Sequence, residues 1–132
     1  MQTYKTQYWS LNVPALWDAE ADDETDVIYD NAGIGELVIS TLYPDEGISD
    51  EQLEAMASEH VDSDAEIEDV ALGDFSGIAV SFEQDGEYWC EWYLRSEKVL
   101  LFISYNCDVK NAEVDEDVVE SILESLEEIR VL

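Results

Sequence analysis

Residues Ser76–Cys107 read SGIAVSFEQDGEYWCEWYLRSEKVLLFISYNC. Three apolar, aromatic-rich runs are separated by two short turn signals, the pattern of a three-stranded antiparallel meander at the centre of a sheet. Asp85-Gly86 is the first turn, and its loop length decides which side chains share a face. A two-residue loop opposes Val80 with Glu91 and Ser81 with Cys90, mixing polar and apolar partners. A three-residue loop, Gln84-Asp85-Gly86, opposes Phe82 with Tyr88, Val80 with Cys90 and Ile78 with Trp92. That gives one coherent apolar face and sets Gly86 where positive φ is wanted. A slip of one residue exchanges the faces completely, so the three-residue loop is expected. The second turn, near Glu97-Lys98, pairs Leu94 with Leu101, Trp92 with Ile103 and Cys90 with Tyr105. The opposite face then carries Trp89, Tyr93, Leu100 and Phe102 beside Ser81, Glu91, Ser104 and Asn106. It is too apolar to stand bare in water, so a helix of the chain or a partner is expected to cover it.

Upstream, Tyr4–Val13 alternates as a first strand, and Pro14 ends it. Trp17 is expected to pack back onto the core. Asp18–Thr25 reads as an acidic surface loop, and Asp26–Asp30 and Glu36–Leu42 as a hairpin of two strands. Ser49 with Gln52 forms a capping box ahead of a helix whose stripe is Leu53, Met56, Ala57, His60 and Val61. Glu66–Phe75 alternates as a strand that turns at Gly73. Downstream, Glu113–Arg130 carries a second helical face at Val114, Val118, Val119, Ile122, Leu126 and Ile129, with acids in its first turn and Arg130 in its last. The fold class expected is α+β, as one domain over 1–132: a mostly antiparallel sheet of about six to seven strands with helices packed on both faces.

The chain has 34 acidic against 5 basic residues, a formal net charge of −29. Such a field repels nucleic acid and anionic membranes and opposes folding at low salt. The acids lie mostly in Asp18–Asp30, Asp45–Asp69 and Glu113–Glu128, which leaves the meander comparatively neutral. A solubilising surface suited to a salty environment, a surface for a basic protein, and a nucleic-acid mimic all account for them. Cys90 and Cys107 fall on diagonal positions of the meander, roughly 7–8 Å apart and beyond comfortable disulfide reach, so two buried thiols are expected. MQTYKTQYWS has no basic segment leading into an apolar core, and no apolar run approaches membrane-span length. A cytoplasmic location is therefore expected.

Catalytic patterns are missing from the sequence. His60, the one histidine, lies on a helical stripe, with neither cysteine near it. No G-x-S-x-G elbow occurs. Cys90, Cys107 and His60 lack zinc spacing. Gly33-Ile34-Gly35 lacks a third glycine and precedes a strand. Asp18, Glu20 and Asp22, like Asp62, Asp64 and Glu66, alternate without the glycine and glutamate of an EF-hand. No catalytic residue, metal site or cofactor is expected, and oligomeric state stays open.

YWSLNVPALW at the start, GELVIS after an early hairpin, the SDEQLEAMASEH helix, the LGDFSGIAV-to-YNC meander and the terminal SILESLEEI together resemble the Mog1/PsbP-like fold family. The resemblance spans nearly the whole chain and rests on the order of elements. It implies an antiparallel sheet between helices and the binding of another protein without catalysis, as in secretion chaperones, a nuclear-transport factor and photosystem subunits. It carries no functional residue across. The expected function is a non-catalytic protein-interaction module that binds a basic partner through an acidic and aromatic surface, anchored by Trp89, Tyr93 and Phe102. An immunity-type or nucleic-acid-mimic protein blocking a basic active site, and a small carboxylate-based enzyme, are the alternatives.

Overall fold

The structure, a computed structural model, describes residues 2–6, 8–15, 17–22, 25–30, 35–42, 66–96, 99–108, 110 and 116–129. Seven strands form the main sheet: β3 (Trp17–Asp22), β4 (Thr25–Asp30), β5 (Glu36–Leu42), β6 (Glu66–Leu72), β7 (Phe75–Gln84), β8 (Glu87–Arg95) and β9 (Leu100–Asp108). Their spatial order is β3-β4-β5-β9-β8-β7-β6, and every neighbouring pair is antiparallel. A smaller sheet holds β1 (Gln2–Lys5), β2 (Trp9–Val13) and β10 (Glu127–Glu128), with β2 in the middle. Helix α1 (Glu116–Glu124) precedes β10.

The expectation of helices packed on both faces is corrected by this architecture. Among the described residues the chain is overwhelmingly strand, with α1 as the one helix. One face of the main sheet is covered jointly by the small sheet and α1. Trp9, Leu11 and Val13 of β2 and Val119, Ile122, Leu123 and Leu126 of the α1 segment join Ile28, Leu37, Ile39, Leu101, Ile103 and Tyr105 in one core. We call this the core face. The predicted helix with the stripe Leu53 to Val61, and with it His60, lies outside the described residues.

Three further expectations change. The first strand is two strands, because Thr6 Oγ1 accepts the backbone N–H groups of Tyr8 and Trp9 at 3.2 Å and turns the chain between β1 and β2. The acidic loop is strand β3: Trp17, Ala19 and Ala21 alternate with Asp18 and Glu20, and Ala19 pairs with Ile28. There, period-2 alternation prevails over charge density. The last helix ends at Glu124 with no base in its last turn. Ser125 donates its hydroxyl to the Ile122 carbonyl, Leu126 N–H closes on Leu123, and Glu127 and Glu128 leave to pair with Ser10 and Trp9.

The meander itself holds, with β8–β9 in the expected register: Leu94 opposes Leu101, Trp92 opposes Ile103 and Cys90 opposes Tyr105. The β7–β8 register does not. Val80 opposes Glu91, Phe82 opposes Trp89 and Ile78 opposes Tyr93, the two-residue register. Asp85 and Gly86 have φ of 54° and 83°, as a type I′ turn requires, and that turn matches strand twist. Polar-apolar alternation does not arbitrate, because both faces of these strands carry buried apolar residues. Ile78, Val80, Tyr93 and Leu100 form a second cluster on the far face, as strands covered on both sides do.

Candidate functional site

The two-residue register has a geometric result. It turns Ile78, Val80 and Phe82 of β7 to the far face and leaves Gly77, Ala79 and Ser81 opposite Leu94, Trp92 and Cys90 on the core face. Small residues there leave a hollow, a cleft of about 540 Å³ between α1 and the β6–β9 end of the sheet. Its floor is Tyr88, Cys90 and Trp92 of β8 with Tyr105 of β9. Val119 and Leu123 of α1 form one wall, and Val70 and Leu72 of β6 continue the apolar surface. The Cys90 thiol donates to the Tyr88 hydroxyl at 3.1 Å, and neither Cys90 nor Cys107 is in a disulfide.

The rim is anionic. Glu66 and Glu68 alternate on the core side of β6, paired with Ser81 and Ala79, and Glu120 faces them from α1. All three are exposed. Their carboxylates therefore stay in water while the floor beneath is apolar, an arrangement suited to a ligand that is cationic at its edges and apolar at its centre. Among the described residues, no group of three or more His, Cys, Asp or Glu side chains is placed to hold a metal ion.

Trp89, Tyr93 and Phe102 do share one face, the far one. Tyr93 directly opposes Phe102, their ring centroids 5.1 Å apart, and Trp89 stacks on Phe82 at 6.3 Å with an interplanar angle of 7°. Tyr93 is buried and donates its hydroxyl to Glu91 at 3.2 Å, while Trp89 and Phe102 are half-buried. Sequence reasoning missed the cleft because the three-residue register fills it with Ile78, Val80 and Phe82. The signal that finds it is the small-residue alternation Gly77, Ala79, Ser81 beside Glu66 and Glu68.

No family model and no curated protein matches the sequence. Solved structures do match the fold. LpqN of Mycobacterium tuberculosis, described as involved in cell envelope biogenesis, superposes with a TM-score of 0.65 at 16% identity, over 92% of this chain and 83% of that one. The chain has a PsbP/Mog1-like fold. The cyanobacterial PsbP protein CyanoP of Synechocystis supports this at a TM-score of 0.51 and 11% identity, over 97% and 92% of the two chains. A Bacteroides thetaiotaomicron protein matches at a TM-score of 0.58 and 16% identity, over 92% of this chain. The chain spans 45% of that protein's length. At these identities the likeness concerns architecture alone.

Proposed function

We propose that this PsbP/Mog1-like domain is a non-catalytic binding module whose cleft takes a basic, partly apolar segment of another protein. The observation that carries this reading is the pairing of an apolar floor, Trp92, Tyr105 and Leu123, with an exposed carboxylate rim, Glu66, Glu68 and Glu120. Apolar contact supplies affinity, and the rim supplies charge complementarity and a fast, salt-sensitive encounter. The net charge of −29 reinforces the preference for a basic partner. Tyr93's burial directs the reading to the cleft rather than to the aromatic far face.

A fluorescent peptide of alternating lysine and valine tests it by anisotropy at low and moderate salt. The double variant Glu66→Lys, Glu68→Lys is compared with Asp18→Lys, Glu20→Lys, which makes the same change of net charge on β3. The rim variant is expected to bind about tenfold or more weakly than the β3 variant. Filling the cleft with Ala79→Leu is expected to weaken binding at unchanged charge. Equal losses from the two charge variants, with no effect of Ala79→Leu, would show diffuse attraction to an acidic surface and end the proposal.

A further inference from the structure

Strand β6 ends the seven-stranded order, and among the described residues no strand pairs with its outer edge. That edge borders the cleft, and Glu66, Ile67, Glu68 and Asp69 are all exposed along it. Ile67, at 45% exposure, is the one large exposed hydrophobic side chain among the described residues. An open strand edge offers unpaired N–H and C=O groups to an incoming chain. Acidic side chains along it repel a second copy of this acidic protein but attract a basic strand, since opposite charges across a strand pair stabilise it and like charges do the reverse. We infer that the partner segment binds as an additional strand, antiparallel to β6, with its core-side residues reaching into the cleft; this rests on the cleft reading above.

Antiparallel addition follows the rest of the sheet, in which every neighbouring pair is antiparallel. It also specifies a sequence. Read from its N-terminus, the added strand faces Leu72, Ala71, Val70, Asp69, Glu68, Ile67 and Glu66 in turn. Apolar residues suit the positions opposite Leu72, Val70 and Ile67, and a small one suits Ala71. Lysine or arginine suits the positions opposite Asp69, Glu68 and Glu66. The recognised pattern is apolar-small-apolar-basic-basic-apolar-basic. Core-side positions on the added strand continue the row Glu66, Glu68, Val70, Leu72, so its apolar end lies over the greasy part of the cleft and its basic end over the carboxylate rim.

The probe is the heptapeptide Val-Ser-Val-Lys-Lys-Val-Lys, capped at both ends, against a scrambled peptide of the same composition. Two further versions carry N-methyl groups on alternate residues, in opposite phases. An added strand sends alternate N–H groups to β6 and the others to water. One methylated phase is therefore expected to lose about tenfold or more in affinity, and the other to bind nearly as the parent does. The scrambled peptide is expected to bind more weakly than the parent, and amide exchange over Glu66–Leu72 is expected to slow on binding. If the parent binds in a manner sensitive to the Glu66/Glu68 reversal but indifferent to methylation phase and to scrambling, strand addition is overturned while the cleft reading stands. If the parent does not respond to that reversal at all, the cleft reading fails first.

Discussion

The carbonyl oxygen of Leu126 lies 1.9 Å from the position that a Cβ on Gly73 would take. Gly73 has φ of 63° at the first position of the β6–β7 turn, and the next residue, Asp74, donates its N–H to that same carbonyl at 3.0 Å. Asp74 Oδ2 accepts the N–H of Glu128 at 3.0 Å. The turn is thus locked onto the chain leaving α1. Gly73→Ala combines a left-handed backbone with a backbone clash and is expected to cost roughly 2 kcal/mol or more. Gly86→Ala, at φ of 83° with nothing within 4 Å, is the comparison and is expected to cost about 1 kcal/mol. Urea denaturation of the two variants measures the difference.

Trp9 is fully buried, and its indole Nε1–H donates to Thr41 Oγ1 at 2.9 Å, tying β2 to β5 across the core face. Thr41→Val keeps the shape and removes the acceptor, leaving the indole N–H without this partner. The expected loss is about 1–3 kcal/mol. Trp9→Phe alone and Thr41→Val with Trp9→Phe complete a double-mutant cycle, in which the tie appears as a non-additive coupling.

The Tyr4 hydroxyl donates to Asp26 Oδ1, joining β1 to β4, and burial together with that carboxylate pushes its pKa from 10.0 up to about 12. A raised phenol pKa means that the folded state holds the proton more tightly than the unfolded one. This stabilisation is complete below pH 10 and is lost as pH rises through about 12. Unfolding midpoints measured from pH 9 to 12 are expected to fall with a steeper slope for the native chain than for Tyr4→Phe. Tyr29, raised in the same direction by partial burial and by the Glu20 and Asp18 carboxylates, accounts for part of the slope that remains.

The type I′ turn asks Asp85 for positive φ, a conformation that aspartate and asparagine tolerate better than residues with a purely aliphatic side chain. Asp85→Asn is expected to leave stability within about 0.5 kcal/mol, and Asp85→Ala to cost about 1 kcal/mol. Equal, negligible effects in thermal denaturation would argue against the two-residue register.

With a net charge of −29, mutual repulsion opposes compaction and is screened by salt. Raising sodium chloride from 10 mM to 500 mM is expected to raise the thermal midpoint by several degrees. The charge-reduced variant Asp18→Lys, Glu20→Lys is expected to gain less from the same change. Calorimetry at the two salt concentrations checks both.

The meander, the β4–β5 hairpin and the turn at Gly73 are legible because each has a local signal: alternation, a glycine, or a run of β-branched and aromatic residues. Strand β3 is obscured because Asp18 and Glu20 suggest a loop, although buried Trp17 and half-buried Ala19 mark its core side. The helix end is hidden because Leu126 and Ile129 continue the helical stripe; contacts from Tyr8, Trp9, Ser10 and Asp74, remote in sequence, draw that segment into a strand. The site was lost through one residue of loop length. With buried apolar residues on both faces of β7 and β8, apolar matching favours neither register, and the twist of the Asp85-Gly86 turn decides.

Strand β10 has a kinetic consequence. Glu127 and Glu128 complete the small sheet by pairing with Ser10 and Trp9, at the opposite end of the chain. Closing so long a loop is entropically slow. Pairing of β10 with β2 is therefore expected to follow the local β1–β2 hairpin in folding, so that the small sheet gains its third strand late.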